Sequence, residues 1–315
     1  MGRYILGRLA ALIPVLLGVS ILVFSMIRLI PGDAVLIMLG TNIDITPERV
    51  AHLREQLGLN LPSYEQYLRW LMNVLRGDLG ISVTTGQPVL SEILQRVPVT
   101  VELALGAVLI AVLLSIPLGL LAAAKKNGIT DVASRFVSFI GLAVPNFWFG
   151  TLLLLAVSVY FQRFPTTGYY GLAENPVANV LRFAPAWVTL AFPMAAALVR
   201  MMRSSSIDVL SEPYVQTARA KGLRERVVLL KHVLKNAFIP TLTIIGIQAG
   251  HLLGGAIVVE EVFALPGLGR LVVGSILDRN YPLIQGIVLV ITSWFVIINL
   301  AVDLLYSYLN PKIRY

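Results

Sequence analysis

The chain has 315 residues, 57% of them hydrophobic and 13% charged, with a mean hydropathy of +0.80, which places it outside soluble globular domains and leaves room for several apolar spans of about 20 residues. It contains no cysteine, so disulfides, thiolate metal sites and cysteine nucleophiles are excluded. The net charge of +8, in a chain this apolar, is read loop by loop as an orientation signal, and nucleic acid is not expected as a partner.

The first predicted span runs from Leu9 to Ile30, behind Arg3 and Arg8. Its apolar run is longer than that of a cleaved signal and no small-residue cleavage site comes after it, so it reads as a retained helix with its N-terminus inside. Residues 31–98 form the longest polar interval and are predicted to lie outside. Within them Thr46-Pro47-Glu48 reads as a helix start, with a hydroxyl cap, proline at the first helical position and an acid in the first turn, and Gly58 as the stop. A second helix is predicted from Ser63, with Tyr64, Tyr67, Leu68, Leu71, Met72 and Leu75 on one face and Gly77 at its end. Together they predict an extracytoplasmic helical segment packed against the membrane domain or a partner.

Further spans are predicted at Val99–Ala124, Arg135–Phe161, Ala184–Met202, Ala237–Val259 and Pro282–Tyr306, each long enough to cross roughly 30 Å of hydrocarbon. The expected fold is an all-α polytopic membrane protein with six transmembrane helices. An even number of spans returns the C-terminus to the side of the N-terminus, and under this N-in, C-in topology every lysine of the chain falls inside. The expected division is therefore residues 1–30, a tail and first helix; 31–98, the extracytoplasmic segment; 99–306, a five-helix core holding a cytoplasmic loop at 203–236; and 307–315, a cytoplasmic tail.

Catalytic signatures are missing. There is no GxxxxGK followed by Ser or Thr, no HExxH and no GxSxG, so neither nucleotide hydrolysis nor proteolysis by this chain is expected, and no catalytic, cofactor or metal residue is assigned. His52, His232 and His251 show no ligand spacing. Only His251 falls mid-span, where an ionisable group is a functional candidate or a neutral histidine bonded to a neighbouring helix. Glu102 and Asp303 fall near predicted span ends, which weakens an ion-coupled mechanism. Gly246, Gly250 and Gly254 recur every four residues in the fifth span. That ridge serves close helix packing, or else an interface beside a substrate path toward which Gln248 and His251 would face.

The stretch Arg200–Pro240 stands apart. It holds Arg200, Arg203, Arg219, Lys221, Arg224, Arg226, Lys231 and Lys235 against Asp208, Glu212 and Glu225. Ser211 or Glu212 before Pro213 reads as a helix start, Tyr214, Val215 and Ala218 come next at helical spacing, and Gly222 suits a left-handed break. A second helix is predicted beyond it, in which Val227, Leu230 and Leu234 share a face. Contact with lipid headgroups accounts for the charge alone; caps, break and apolar face predict a folded knob projecting into the cytoplasm.

At these residues the chain resembles the inner-membrane permease subunits of ABC importers, specifically the B-type subunits of the dipeptide/oligopeptide family. The resemblance covers essentially the whole chain. It is carried by Tyr214-Val-Gln-Thr-Ala-Arg-Ala-Lys-Gly222, similar to the family's EAA-type loop, by Val259-Glu-Glu-Val-Phe-Ala-Leu-Pro-Gly-Leu-Gly-Arg270, by Asp278-Arg-Asn-Tyr-Pro282 with Gln285-Gly286, and by Arg28-Leu-Ile-Pro-Gly-Asp33. Gln216 and Thr217 depart from the generic glutamate and alanine, as the peptide branch commonly does. The resemblance implies a MetI-like permease fold in a prokaryotic cell membrane and a second homologous permease subunit to complete the path. It also implies one or two ABC ATPase subunits that bind the ATP and magnesium, an extracytoplasmic substrate-binding protein, and surrounding lipids. It further implies an ATPase-coupling role for Glu212, Pro213, Tyr214, Thr217, Ala218, Lys221, Gly222, Leu223 and Arg224. Di- and oligopeptides are the first cargo it implies; nickel chelates, glutathione and oligosaccharides are carried by similar permeases. The rival from another class is an ion-coupled secondary transporter.

Overall fold

The computed structural model describes residues 2–28, 47–56, 60–161 and 168–309. Thr46, Gly58 and the 310–315 tail, all used in the sequence reading, lie outside them. The described residues are helical throughout, apart from turns and one isolated bridge between Ile81 and Pro88. In chain order the helices are α1 (Gly2–Arg28), α2 (Pro47–Gln56), α3 (Ser63–Leu75), α4 (Val89–Ala124), α5 (Ile129–Ala143), α6 (Asn146–Tyr160), α7 (Pro176–Leu210), α8 (Pro213–Ala220) and α9 (Glu225–Val227). A π-helical turn (Val228–Val233) comes next, then α10 (Leu234–Val262), α11 (Leu268–Leu277) and α12 (Tyr281–Leu309).

The chain divides into two compact units, Met1–Pro98 with Arg270–Val296, and Val99–Gly269 with Ile297–Tyr315. In the first, α2 starts at Pro47 and α3 at Ser63, where the sequence places them, and Gly77 at φ +83° ends α3. The apolar stripe of α3 divides. Tyr67 turns toward α1, with its ring 5.3 Å from that of Phe24 and its hydroxyl 2.8 Å from Ser20 Oγ. Tyr64, Leu68, Met72 and Leu75 are exposed. Those apolar positions span a wider arc than one neighbouring helix can cover. After α3, Asn280 ties the 82–84 segment to the turn before α12, donating to Ser82 Oγ at 2.7 Å and Thr84 Oγ1 at 2.9 Å and accepting from the Val83 amide.

In the second unit α7 is central, packing against α10, α5 and α6. Its core is Val99, Leu103, Ala107 and Ala111 of α4 against Phe183, Leu190, Met194 and Leu198 of α7 and Leu252, Ala256 and Val259 of α10. Three departures from the sequence reading have local causes. The predicted span Arg135–Phe161 is two helices, α5 and α6, bent by 104°. Pro145 forces Val144 out of the helical region, to φ −81° and ψ 126°, and then serves as the residue before α6. Next, α4 starts at Val89, ahead of the predicted span start at Val99, so Glu102, placed near that span end, lies inside a longer helix. Finally, α7 extends the predicted Ala184–Met202 span at both ends, with Pro185 and Pro193 accommodated inside it.

Four described helices are long and apolar enough to cross a membrane: Val89–Ala124, Pro176–Leu210, Glu225–Leu252 and Tyr281–Val302. The α5–α6 pair makes a fifth if it is counted as one span, and Ala10–Met26 is a shorter apolar helix.

Candidate functional site

The basic stretch folds as a closed helix–turn–helix. Glu212 is extended, at φ −68° and ψ 142°, and Pro213 opens α8, but neither Ser211 nor Glu212 supplies a side-chain cap; Pro213 has no N–H to satisfy, and the Val215 amide donates to the Glu212 carbonyl at 3.0 Å. The far end is better closed. Gly222 takes φ +77°, its amide donates to the Arg219 carbonyl at 2.9 Å, and the Leu223 amide donates to the Ala218 carbonyl at 3.4 Å. This is the paired hydrogen-bond pattern that seals a helix through a left-handed residue. Nothing lies within 4 Å of where a Cβ on Gly222 would be, so backbone conformation alone demands glycine there.

Two side-chain contacts lock the turn. Arg219 meets Glu225 with both carboxylate oxygens, Nε–Oε2 at 3.2 Å and Nη2–Oε1 at 2.5 Å. The bonds to Glu225 hold the guanidinium above its ordinary pKa. Tyr214, exposed by its ring, donates its hydroxyl to the His232 carbonyl at 3.3 Å and accepts from Asn236 at 2.6 Å. The inner face is apolar: Val215 and Ala218 of α8 bury with Val228, Leu229, Val233 and Ala237 against Leu120 of α4 and Met202 of α7.

The second helix buries a different face from the one its spacing predicts. Val227 and Leu230 are exposed, and Leu234 is only partly buried. The cause is the π-helical turn at Val228–Val233. Its wider winding brings residues five apart into line, so Val228 and Val233 share the buried side. Among the candidate coupling residues, Glu212, Pro213, Tyr214, Thr217, Lys221, Gly222, Leu223 and Arg224 are exposed. Ala218, at 6% exposure, faces the chain's own core and presents nothing outward. The Thr217 hydroxyl donates to the Pro213 carbonyl.

Beneath this knob is an ion pair that spacing could not reveal. Asp131, in the first turn of α5, is fully buried, accepts from the Asn127 amide at 2.9 Å, and is gripped through both oxygens by Arg203 of α7, the Nη2–Oδ2 bond being 2.8 Å. Arg135 lies 3.4 Å from the same carboxylate. The helix that leads into the knob is thereby tied to the start of α5.

The glycines of α10 do not behave alike. Gly246 is buried, and a Cβ there would overlap the side chain of Val302 on α12. Gly250 is buried too. Gly254 is exposed, with open space around it. Gln248 is half-buried and His251 exposed. The ridge is therefore a packing surface at Gly246 and an open one at Gly254. The Val262–Leu268 turn, part of the second motif, folds around a buried carboxylate. Glu260 accepts from Thr100 Oγ1 at 2.6 Å, the same hydroxyl accepts from the Leu268 amide at 2.8 Å, and a Cβ on Gly267 would overlap Glu260.

A family model described as binding-protein-dependent transport system inner membrane component matches residues 115–315. A second, for the N-terminal part of such membrane components, matches residues 1–104. The dipeptide transport system permease protein DppB of Escherichia coli (strain K12) is 39% identical over 337 residues, covering 99% of both chains. The oligopeptide transport system permease protein AppB of Bacillus subtilis (strain 168) is 40% identical over 320 residues, covering all of both. The glutathione transport system permease protein GsiC of Escherichia coli O6:H1 is 42% identical over 313 residues, covering 99% of both.

Proposed function

We propose that this chain, which belongs to the inner-membrane permease components of binding-protein-dependent ABC transport systems, forms half of the translocation path of an ATP-driven importer of di- and oligopeptides. It is a multi-pass membrane subunit of a prokaryote, and its relatives are peptide permeases. ATP is bound and hydrolysed by separate subunits, one or two of them, and a second homologous permease completes the path. An extracytoplasmic binding protein delivers the cargo. The chain crosses the membrane six times with both termini inside, counting α1 and the bent α5–α6 pair as one span each, and residues 31–98 lie outside.

The observation that carries this reading is the closed knob from Pro213 to Val233. Its left-handed seal, ion pair and apolar base make it stiff, and a stiff element can pass a displacement from a docked ATPase into α7 and α10 where a slack loop would absorb it. Its outward face offers Glu212, Pro213, Thr217, Lys221, Leu223 and Arg224 to the partner. Replacing residues 213–224 with a Gly-Ser linker should leave the chain in the membrane and release the ATP-hydrolysing subunit from the purified complex. Retention of that subunit overturns the coupling assignment.

A second cargo is favoured by a specific observation, the 42% identity to a glutathione permease. Stimulation of the complex's ATPase by its binding protein loaded with a dipeptide, and not with glutathione, decides for peptides.

A further inference from the structure

Among the described residues three buried side-chain oxygens lack a hydrogen-bond partner: Glu102 Oε1, Asn179 Oδ1 and Ser206 Oγ. The first two lie together in the second unit, where the Asn179 amide hydrogen-bonds the Glu102 carboxyl, so that Oε1 of one and Oδ1 of the other are the atoms left without a partner. Reversing the Asn179 amide does not repair this, because its nitrogen already donates to the Tyr170 carbonyl at 2.8 Å. Both orphaned atoms are acceptors, and one belongs to a carboxyl group. Arg182, on the next turn of α7, does not serve them: it donates to the carbonyls of Gly168 and Phe263.

The surroundings are rigid and aromatic. Asn179 and Phe183 are fully buried on one face of α7, four residues apart, and Trp187 lies four residues further on. The Trp187 Nε1 donates to the Glu102 carbonyl at 3.1 Å, and its ring fills the space over Gly106. Tyr169 meets Phe183 edge-on at 6.2 Å and lies within electrostatic range of Glu102 and Glu174. Burial, aided by those two carboxylates, pushes the Tyr169 phenol up, so it stays neutral. An orphaned carboxylate oxygen, an orphaned amide oxygen and aromatic rings share this neighbourhood, and Arg182, the cation beside them, is bound elsewhere.

We propose that Glu102 and Asn179, rimmed by Tyr169, bind a primary ammonium group, and that in a peptide importer this is the N-terminal ammonium of the cargo. An ammonium carries three N–H donors for the two oxygens, an aromatic face beside it adds attraction, and a peptide α-amino group is mostly charged at neutral pH. The cargo half of this inference rests on the peptide reading above.

Two measurements on the complete importer, with its partner permease and ATPases in lipid nanodiscs or vesicles, separate the two. The first compares uptake of alanylalanine with that of its N-acetylated form. Wild type should favour the free amine by about tenfold, as for a hydrogen bond to a charged group, and Glu102→Gln should bring the two within about twofold. Asn179→Leu should narrow the preference in the same direction. Equal losses for both substrates, or no loss, overturn the site. The second monitors tryptophan fluorescence on addition of ethylammonium chloride or, at equal ionic strength, sodium chloride. A response to ethylammonium that Glu102→Gln abolishes supports the site even if no peptide is transported, in which case the cargo reading alone fails. Dipeptide uptake indifferent to acetylation, with no Glu102-dependent signal, overturns the site and leaves the cargo reading standing. A Glu102-dependent response to sodium instead overturns the ammonium assignment.

Discussion

The two ends of α7 treat charge in opposite ways. At the end that leads into the knob, Arg203 is bound by Asp131 and Arg219 by Glu225; among the described residues the buried side-chain group there without a partner is the hydroxyl of Ser206. At the other end the hydrogen-bonded pair of Glu102 and Asn179 leaves one acceptor oxygen on each side chain, Oε1 and Oδ1, without a donor. A buried polar group without a partner costs stability, so the difference parallels the two proposed roles, a part that holds its shape and a part that takes a ligand. Force transmission needs the first and recognition needs the second.

The sharpest way to break this contrast is Arg203→Ala. It leaves the Asp131 carboxylate buried with Arg135 as a peripheral partner, and should cost about 3 kcal/mol. A drop in the thermal unfolding midpoint of the purified chain reads it, and exchange of the pair, Asp131→Arg with Arg203→Asp, should recover part of the loss. Gly246→Leu should cost about 1–3 kcal/mol through overlap with Val302, whereas Gly254→Ala should unfold with wild type. Equal effects at the two positions would mean the ridge is uniform after all. Gly222→Val forces a β-branched residue into φ +77° and should cost about 1–2 kcal/mol; substrate-stimulated ATP hydrolysis should fall while membrane insertion persists, and unchanged coupling would detach the knob from power transmission. Arg219→Ala removes an exposed pair, with side chains 42% and 52% accessible, and should cost no more than about 0.5 kcal/mol. Glu102→Gln should run opposite to all of these. It removes the charge from a carboxyl that has an unpartnered oxygen and should leave stability unchanged or raise it by about 1 kcal/mol, even as amine preference is lost.

What the sequence made legible was backbone chemistry written in single residues. Pro47, Pro213, Gly77 and Gly222 mark helix ends because each one's own covalent geometry imposes the conformation. The family was legible for the same local reason, through the 214–222 and 259–270 motifs. What escaped depended on distant partners or on competition between equal signals. Asp131 and Arg203 are 72 residues apart, and nothing near either announces the other. Proline breaks the chain at Pro145 yet lies inside helices at Pro185, Pro193 and Pro240; an apolar window containing proline does not say which outcome tertiary contacts will choose. The orphaned pair escaped because Glu102 was assigned to a span end, where water would have satisfied it. The path-facing role proposed for Gln248 and His251 has a half-buried and an exposed side chain to work with.

The π-helical turn has a consequence beyond the face it buries. A helix advances by about 100° per residue, and a turn that holds one residue more than its neighbours resets that count between the helix on its N-terminal side and the helix on its C-terminal side. The seat of the knob, Val228 and Val233, and the span surface that carries Gly246 therefore keep separate phases. Substitutions on the outward face of the knob need not re-aim the helix beyond the turn, and changes along that helix need not disturb the knob's outward face. The turn separates two parts of one helix whose sequences can change independently, which suits the proposed division between a docking knob and a transport path.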